Sequence, residues 1–296
     1  MQIKIISNIH SLENIHKDGF TVDLYRYPKS KNNIKVILPI FIKSFKYDYI
    51  LLNFVAFDVF FLALLKLIVP FNRCKLVVLD LFLTLPESFK DKILWPIKTL
   101  LLKKIHRFFV YSKNTTRYQK YYHIKSDKFR YVPYKVNAYD IIQKTKLSDE
   151  GYIFCGGKSR RDFRTLIDVM RGLPYPLKIV TVDNAELLEH DSCLEQSNLP
   201  SNVEVIRHDG TVELFIKYMA NSRLVVLPIK KKVITQTGIA VYLMAMALKK
   251  CVIISSGPGV DDVLDSSLAI VVPPEDPEAL EAAIERAYND DQLRNT

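Results

Sequence analysis

The chain has 296 residues, enough for two domains of ordinary size, and its 49% hydrophobic and 25% charged residues exclude a disordered or fibrous protein. The net charge of +10 is uneven: residues 1–150 hold 26 Lys+Arg against 12 Asp+Glu, and residues 151–296 hold 16 against 20, so the two halves face different partners. Four scattered cysteines with no C-x-x-C pair argue against a disulfide framework or a cysteine metal site, and for buried, reduced thiols in a cytoplasmic protein.

The start, MQIKIISNIH, alternates like a strand and lacks the apolar centre of a secretory signal. Further strands are predicted at 22–26, 49–53, 75–80 and 107–112, with helices over 33–45, 55–69, 97–105 and 113–123. The most apolar run, FVAFDVFFLALLKLIVP at 54–70, is shorter than the roughly 20 residues a bilayer span needs. Asp58 and Lys66 interrupt it, and it is read as a buried helix. Residues 131–150 are polar and proline-marked and read as a hinge, which puts a first domain at 1–138, a linker at 139–150 and a second domain at 151–296.

The second half alternates more cleanly. Apolar strands are predicted at 151–155, 177–182, 202–206, 223–228, 251–255 and 268–272. Helices are predicted at 162–170, 184–188, 211–220, 238–248 and 276–288, the last announced by Asp276 as cap and Pro277 in the first turn. Apolar strands alternating with helices imply parallel sheets covered on both faces. The expected architecture is α/β, two doubly wound Rossmann-like domains facing a cleft, with ligands at the C-terminal ends of the strands.

Three loops at one sheet edge carry chemistry. In CGGKSRRDF, a strand runs into Gly156 and Gly157, then Lys158, Arg160 and Arg161, then a helix. Glycines allow close approach of the backbone to a ligand, and cations beside a helix N-terminus suit a diphosphate; a glycine turn with a solvated charge run is the plainer alternative. In the second loop, ITQTG leads into the helix from Gly238, with the Thr235 and Thr237 hydroxyls beside its amides. The third, His208-Asp209-Gly210, stands where a loop can touch a base, or is an exposed turn. Met244, Met246 and Tyr242 read as packing.

Residues 151–296 resemble the donor-binding domain of GT-B glycosyltransferases of the family-four-like, group 1 type. The resemblance rests on GGKSRRDFRTLIDV, NVEVIRHDGTVELFIKYMANSRLVVLP, GIAVYLMAMALKKCVIIS and VVPPEDPEALEAAI, in that order. A weaker likeness covers VYSKNTTRYQKYYHIKSDKFRYVPY in the first half. The resemblance implies a nucleotide-diphosphate sugar donor and transfer with retention. It implies a diphosphate held by Lys158 and Arg161 and by the helix start at Thr237 and Gly238, with no bound metal or other cofactor; Gly157 of the first turn, and His208 and Gln236 on the nucleotide side, complete the expected donor site. Two family glutamates in an E-x7-E pattern are replaced here by Gln236 and Met244. Methionine cannot accept hydrogen bonds from ribose hydroxyls, a loss of about 1.5–3 kcal/mol. Lys249 stands where a glycine is usual, SNIHSLENIHKDG replaces a glycine-rich loop, and the sequence stops at DDQLRNT, before the helix that usually crosses back to the first domain.

For the acceptor side, Asp80 at the end of KLVVLD is the expected catalytic base, where the family tends to place polar groups, and His10 is second. Each has a plain structural alternative, a cap or a loop residue. Residues 90–135 hold thirteen Lys+Arg and two acids, interleaved with aromatic residues. That suits an anionic membrane surface, and nucleic acid less well. The expected protein is a metal-independent glycosyltransferase acting on a glycan or lipid-linked acceptor, as in polysaccharide biosynthesis, peripheral at the cytoplasmic face of the membrane. The competing reading is a catalytically inactive GT-B-like scaffold subunit.

Overall fold

The computed structural model describes residues 2–13, 15, 19–26, 33–53, 56–86, 89–208 and 210–295; Asp209 of the third loop lies outside them. The chain divides into two compact units, Met1–Val132 and Pro133–Thr296.

The first unit runs β1 (Ile3–Ser7), β2 (Phe20–Leu24), α1 (Asn33–Lys43), β3 (Tyr49–Leu52), α2 (Ala56–Ile68), β4 (Lys75–Leu79), α3 (Phe89–Leu102), β5 (Arg107–Val110), α4 (Thr116–Tyr122) and β6 (Phe129–Tyr131). Its six strands are parallel in the order β2-β1-β3-β4-β5-β6. Chain direction across the sheet reverses between β1 and β3, the place where an open sheet leaves a crevice. Two elements differ from expectation. Helix α3 starts at Phe89 and runs through Pro96, where a boundary is normally read. Strand β6 is only three residues, with Arg130 and Tyr131 exposed, so it shows no apolar run. Within the run 54–70, Ala56–Ile68 forms a helix, but α2 buries one side only: Val59, Leu62 and Ala63 are fully buried while Phe57, Leu64 and Ile68 are exposed.

The second unit runs α5 (Tyr139–Lys144), β7 (Ile153–Gly156), α6 (Phe163–Met170), β8 (Leu177–Thr181), α7 (Asn184–Glu189), β9 (Val203–Arg207), α8 (Val212–Ala220), β10 (Leu224–Leu227), α9 (Ile239–Ala247), β11 (Val252–Ser255), β12 (Ile270–Val272), α10 (Pro277–Asn289) and α11 (Asp291–Asn295). The stretch read as a linker contains α5, and this unit begins at Pro133. Its sheet is also parallel, in the order β12-β11-β10-β7-β8-β9. Strands β7, β10 and β11 are buried at every position, which is why they read as unbroken apolar runs. Helices α6 and α10 pack together over one face through Leu166, Met170, Leu280 and Ile284. Asp162 and Asp276 cap them, accepting from the amides of Thr165 at 3.2 Å and Ala279 at 3.0 Å, each worth about 1 kcal/mol. The direction reversal lies between β7 and β10, so the loops after these two strands flank this unit's crevice.

Candidate functional site

The β7 loop begins with a close approach. A Cβ on Gly156 would lie 2.5 Å from the Phe154 ring and 2.7 Å from the Phe215 ring, so only glycine fits. Gly157 follows at φ +97°, and a Cβ there would lie 2.8 Å from Nη2 of Arg161. The turn therefore lays bare backbone against a guanidinium.

Residues 160–162 are then stitched to the start of the β10 loop. The Lys230 amide donates to the Arg160 carbonyl at 3.1 Å, the Asp162 amide donates to the Pro228 carbonyl at 3.1 Å, and Arg161 pairs with Ile229 as an antiparallel bridge. Both arginines are buried. Arg160, at φ +51°, donates from Nη1 to the Thr235 hydroxyl at 3.0 Å, and its Nε lies 3.8 Å from the Asp191 carboxylate. Arg161 donates from Nε to the Gly156 carbonyl at 2.9 Å and from Nη1 to the Ser159 carbonyl at 3.1 Å, while its amide donates to the Ser192 hydroxyl at 2.8 Å.

Gly238 caps α9 at φ +88°, and a Cβ there would lie 3.8 Å from Nη1 of Arg161. The turns around 157–161 and 235–238 thus meet on one guanidinium, beside the N-terminus of a nine-residue helix. Among the described residues Arg161 has no carboxylate partner; burial pulls its pKa down and the only opposing group is the Cys155 thiol, itself pushed up to about 12 by burial. Guanidinium stays charged in proteins, and a buried cation without a counter-charge is costly.

The other expected residues fall at varying distances from this point. Lys158 is half-exposed and its ammonium is held by Glu186 of α7. Thr237 is buried and turns its hydroxyl toward the Thr235 carbonyl at 3.4 Å. Gln236 is buried, with the Gly259 backbone packed against it: a Cβ on Gly259 would lie 2.7 Å from that of Gln236. Met244 is buried among α9's core side chains, and Tyr242 donates to the Gly259 carbonyl at 2.9 Å. His208 follows edge strand β9, where Nδ1 accepts from the Gly210 amide at 3.0 Å. Its ring meets Phe215 edge-on at 6.0 Å, the same ring that closes on Gly156.

In the first unit, His10 is exposed at the start of a short 3-10 turn, His10–Leu12, after β1. Asp80 follows β4 in the left-handed region at φ +53°, its amide donating to the Phe109 carbonyl at 2.8 Å. A non-glycine residue held there at a strand end is a strained position. The two residues follow strands separated by β3. Between them in the sheet, at the reversal point, Asn8 and Asn53 clasp each other: Asn8 Nδ2 donates to the Asn53 carbonyl at 2.8 Å, and the Asn53 amide donates to Asn8 Oδ1 at 2.9 Å. Sequence reasoning missed this clasp and the role of Arg160; an asparagine closing or following each of two predicted strands was the available signal for the first.

Residues 162–290 match the family model Glycosyl transferases group 1. No curated protein matches the chain. Among solved structures, Anabaena Alr3699/HepE in complex with UDP superposes with a TM-score of 0.66 at 13% identity, over 100% of this chain and 92% of that one. The same protein in complex with UDP-glucose gives 0.66 at 12% over the same shares. An α,α-trehalose 6-phosphate synthase from Burkholderia multivorans gives 0.59 at 12%, over 89% of this chain and 67% of that one. The shared fold is GT-B, two doubly wound α/β units.

Proposed function

We propose that this chain, which has the GT-B fold and matches the group 1 glycosyl transferase model over residues 162–290, moves a sugar from a nucleotide-diphosphate donor without a metal ion. The observation that carries this reading is Arg161, a buried guanidinium lacking a carboxylate partner among the described residues, where two glycine turns meet a helix N-terminus. A diphosphate placed there supplies the missing counter-charge. It also takes up the α9 amides, which a Gly238 cap leaves without a side-chain partner.

Catalysis then rests on charge. As the bond from sugar to diphosphate breaks, negative charge grows on the leaving oxygens. Arg161, the amides after Gly238, the Thr237 hydroxyl and Lys158, once exchanged from Glu186 to phosphate, stabilise that charge in place of a metal. Gly157 lets the donor approach the backbone. His208 and Gln236 contact the nucleoside, His208 from the β9 end. HepE is described in complex with UDP and with UDP-glucose, which supports a uridine nucleotide as the first donor to try. Asp80, with His10 second, orients or deprotonates the acceptor hydroxyl. The acceptor is a glycan or lipid-linked sugar, and the protein sits at the cytoplasmic membrane face through the basic and aromatic stretch 90–135. Among the described residues no helix is long and apolar enough to cross a membrane.

Calorimetric titration with UDP, GDP and ADP tests the donor site. Binding of one of them, weakened about tenfold in Lys158→Ala, is expected, a change of about 1.4 kcal/mol. No binding of any of the three at millimolar concentration overturns the donor reading and leaves the inactive scaffold.

A further inference from the structure

We propose that the outer face of α1, α2 and α3 inserts its apolar side chains into an anionic lipid surface. This rests on the membrane reading above and replaces its main agent, charge along residues 90–135, with a preformed apolar layer that lies largely outside that stretch.

Helices α1 and α2 each carry an exposed apolar stripe besides the one they bury, and α3 buries only Leu101 and Leu102 of its apolar residues and exposes the rest of its stripe. On α1, Ile34, Leu38 and Ile42 are 55%, 42% and 61% exposed at a spacing of four residues, the period of one helix face. On α2, Phe57, Leu64 and Ile68 are exposed at a spacing of seven and four. On α3, Phe89, Ile93 and Ile97 repeat the spacing of four. Helix α2 packs against both neighbours, so the stripes lie side by side as one layer. Beyond the helix ends, exposed Phe45 and Phe71 bring their rings to 6.0 Å, continuing the layer. The second unit provides a control: its exposed apolar residues, such as Leu147, Leu188 and Leu268, are scattered. Single exposed apolar side chains need no explanation, whereas a contiguous layer on three helices marks an interaction surface.

Charge selects the occupant. Lys43, Lys46, Arg73, Lys92, Lys103 and Lys104 are exposed on these helices or directly after them. The acids over the same segments are Asp58, which is buried, Asp91, held by Lys98 at 3.2 Å, and exposed Asp48, whose carboxylate accepts from the Lys4 amide at 2.8 Å. A second copy docked here would bring the same positive rim against this one. An anionic bilayer brings the opposite charge to the rim and hydrocarbon to the stripes.

The test is flotation of the full chain with phosphatidylcholine vesicles, with and without phosphatidylglycerol, at low salt and at about 0.5 M salt, where exposed charges are largely screened. Binding to the anionic vesicles that persists in salt is expected. The triple variant Ile42→Ser, Ile68→Ser, Phe71→Ser should lose about tenfold or more of the salt-resistant part, with its far-ultraviolet circular dichroism and nucleotide binding unchanged. Lys113→Ala with Lys120→Ala, within 90–135 but off these helices, should reduce only the low-salt part. If all binding vanishes in salt and the triple variant binds like the parent, insertion is overturned while the electrostatic reading stands. If no vesicle binds, both fall. If the parent instead forms a dimer that the triple variant abolishes, and no vesicle competes with it, the face belongs to a second copy and the proposal is overturned.

Discussion

Arg160 reaches across 75 positions of chain to donate from Nη1 to the Thr235 hydroxyl at 3.0 Å. The bond ties the loop after β7 to the loop after β10, the two strands that flank the reversal point of the second sheet. Arg160 is fully buried and sits next to the proposed phosphate ligand Arg161. Its part is to hold the two loops at a fixed spacing, so that the guanidinium of Arg161 and the start of α9 face one point.

Thr235→Val tests that spacing. The change keeps the side-chain shape and removes the acceptor, at an expected stability cost of about 1 kcal/mol. UDP affinity should fall several-fold more than that cost alone explains, since folded protein is in excess at this level of destabilisation. Urea unfolding and calorimetry on the same preparation separate the two. A variant with the expected loss of stability and parental UDP affinity removes Arg160 from the site.

Gly157→Ala places a methyl group 2.8 Å from Nη2 of Arg161 at a φ of +97°. The backbone strain alone is of order 1–3 kcal/mol, and the guanidinium must also move. We expect a folded protein with a lower melting temperature and at least about tenfold weaker UDP binding. Equal binding by the variant would place the diphosphate away from this turn.

Glu186→Gln releases Lys158 from its ion pair. Both side chains are more than a third exposed, at 41% and 38%, so the pair contributes little to stability, about 0–1 kcal/mol. In the proposed site Glu186 competes with the incoming diphosphate for the ammonium. The variant should therefore bind UDP a few-fold more tightly at low salt, with unfolding hardly altered. Weaker binding by Glu186→Gln would mean that Lys158 does not turn to the phosphate.

The sheets were legible because β7, β10 and β11 are apolar at nearly every position, and the capping Asp276 with Pro277 fixed the start of α10. The meeting of Gly157, Arg161 and Gly238 was legible in outline, since a glycine turn with cations and a Thr-Gly helix start fall after strands of one sheet. The burial of Arg160 was not: a run such as KSRRD is ordinarily solvated, and only the pairing of residues 160–162 with 228–230 encloses it. The Lys158 partner was not legible either, because Glu186 lies 28 positions away on a short helix. In 54–70, an all-round apolar pattern pointed to burial, and the exposed half of α2 became visible only once α1, α2 and α3 lay side by side.

Acid should destabilise the protein through two histidines. Burial lowers the pKa of His106, with Arg107, Lys75 and Lys128 acting in the same direction. Burial and then Lys158 lower that of His190, against Glu186 and Glu189. Each folded-state value lies below the ordinary value near 6.5, so the unfolded chain takes up protons first as pH falls. Stability is full above about pH 6.5 and declines as pH drops toward the lowered folded values. Urea midpoints should therefore be lower near pH 5.5 than near pH 7.5, and His106→Gln with His190→Gln should shrink the difference. His190 also accepts from the Arg160 amide through its carbonyl at 3.0 Å, a bond the glutamine variant keeps. An undiminished difference in the double variant would assign the acid sensitivity to carboxylates instead.

Thiol chemistry checks the core beside the site independently of any ligand. Cys155 is fully buried under the β7 turn and its thiol is pushed up to about 12 by burial, as is that of Cys74. Cys193 is exposed and Cys251 is partly exposed. Reaction needs an accessible thiolate. With a chromogenic disulfide reagent at mildly alkaline pH, Cys193 should react first and Cys251 more slowly. Cys74 and Cys155 should wait for unfolding. Mass spectrometry of the labelled peptides identifies the order. Because the Cys155 thiol lies within the electrostatic reach of Arg161, bound UDP should leave Cys193 unchanged and slow any residual labelling of Cys155 by stabilising the turn above it. Early labelling of Cys155 in the native protein would show that the β7 turn opens readily, and a site built on a fixed Arg161 could not then hold.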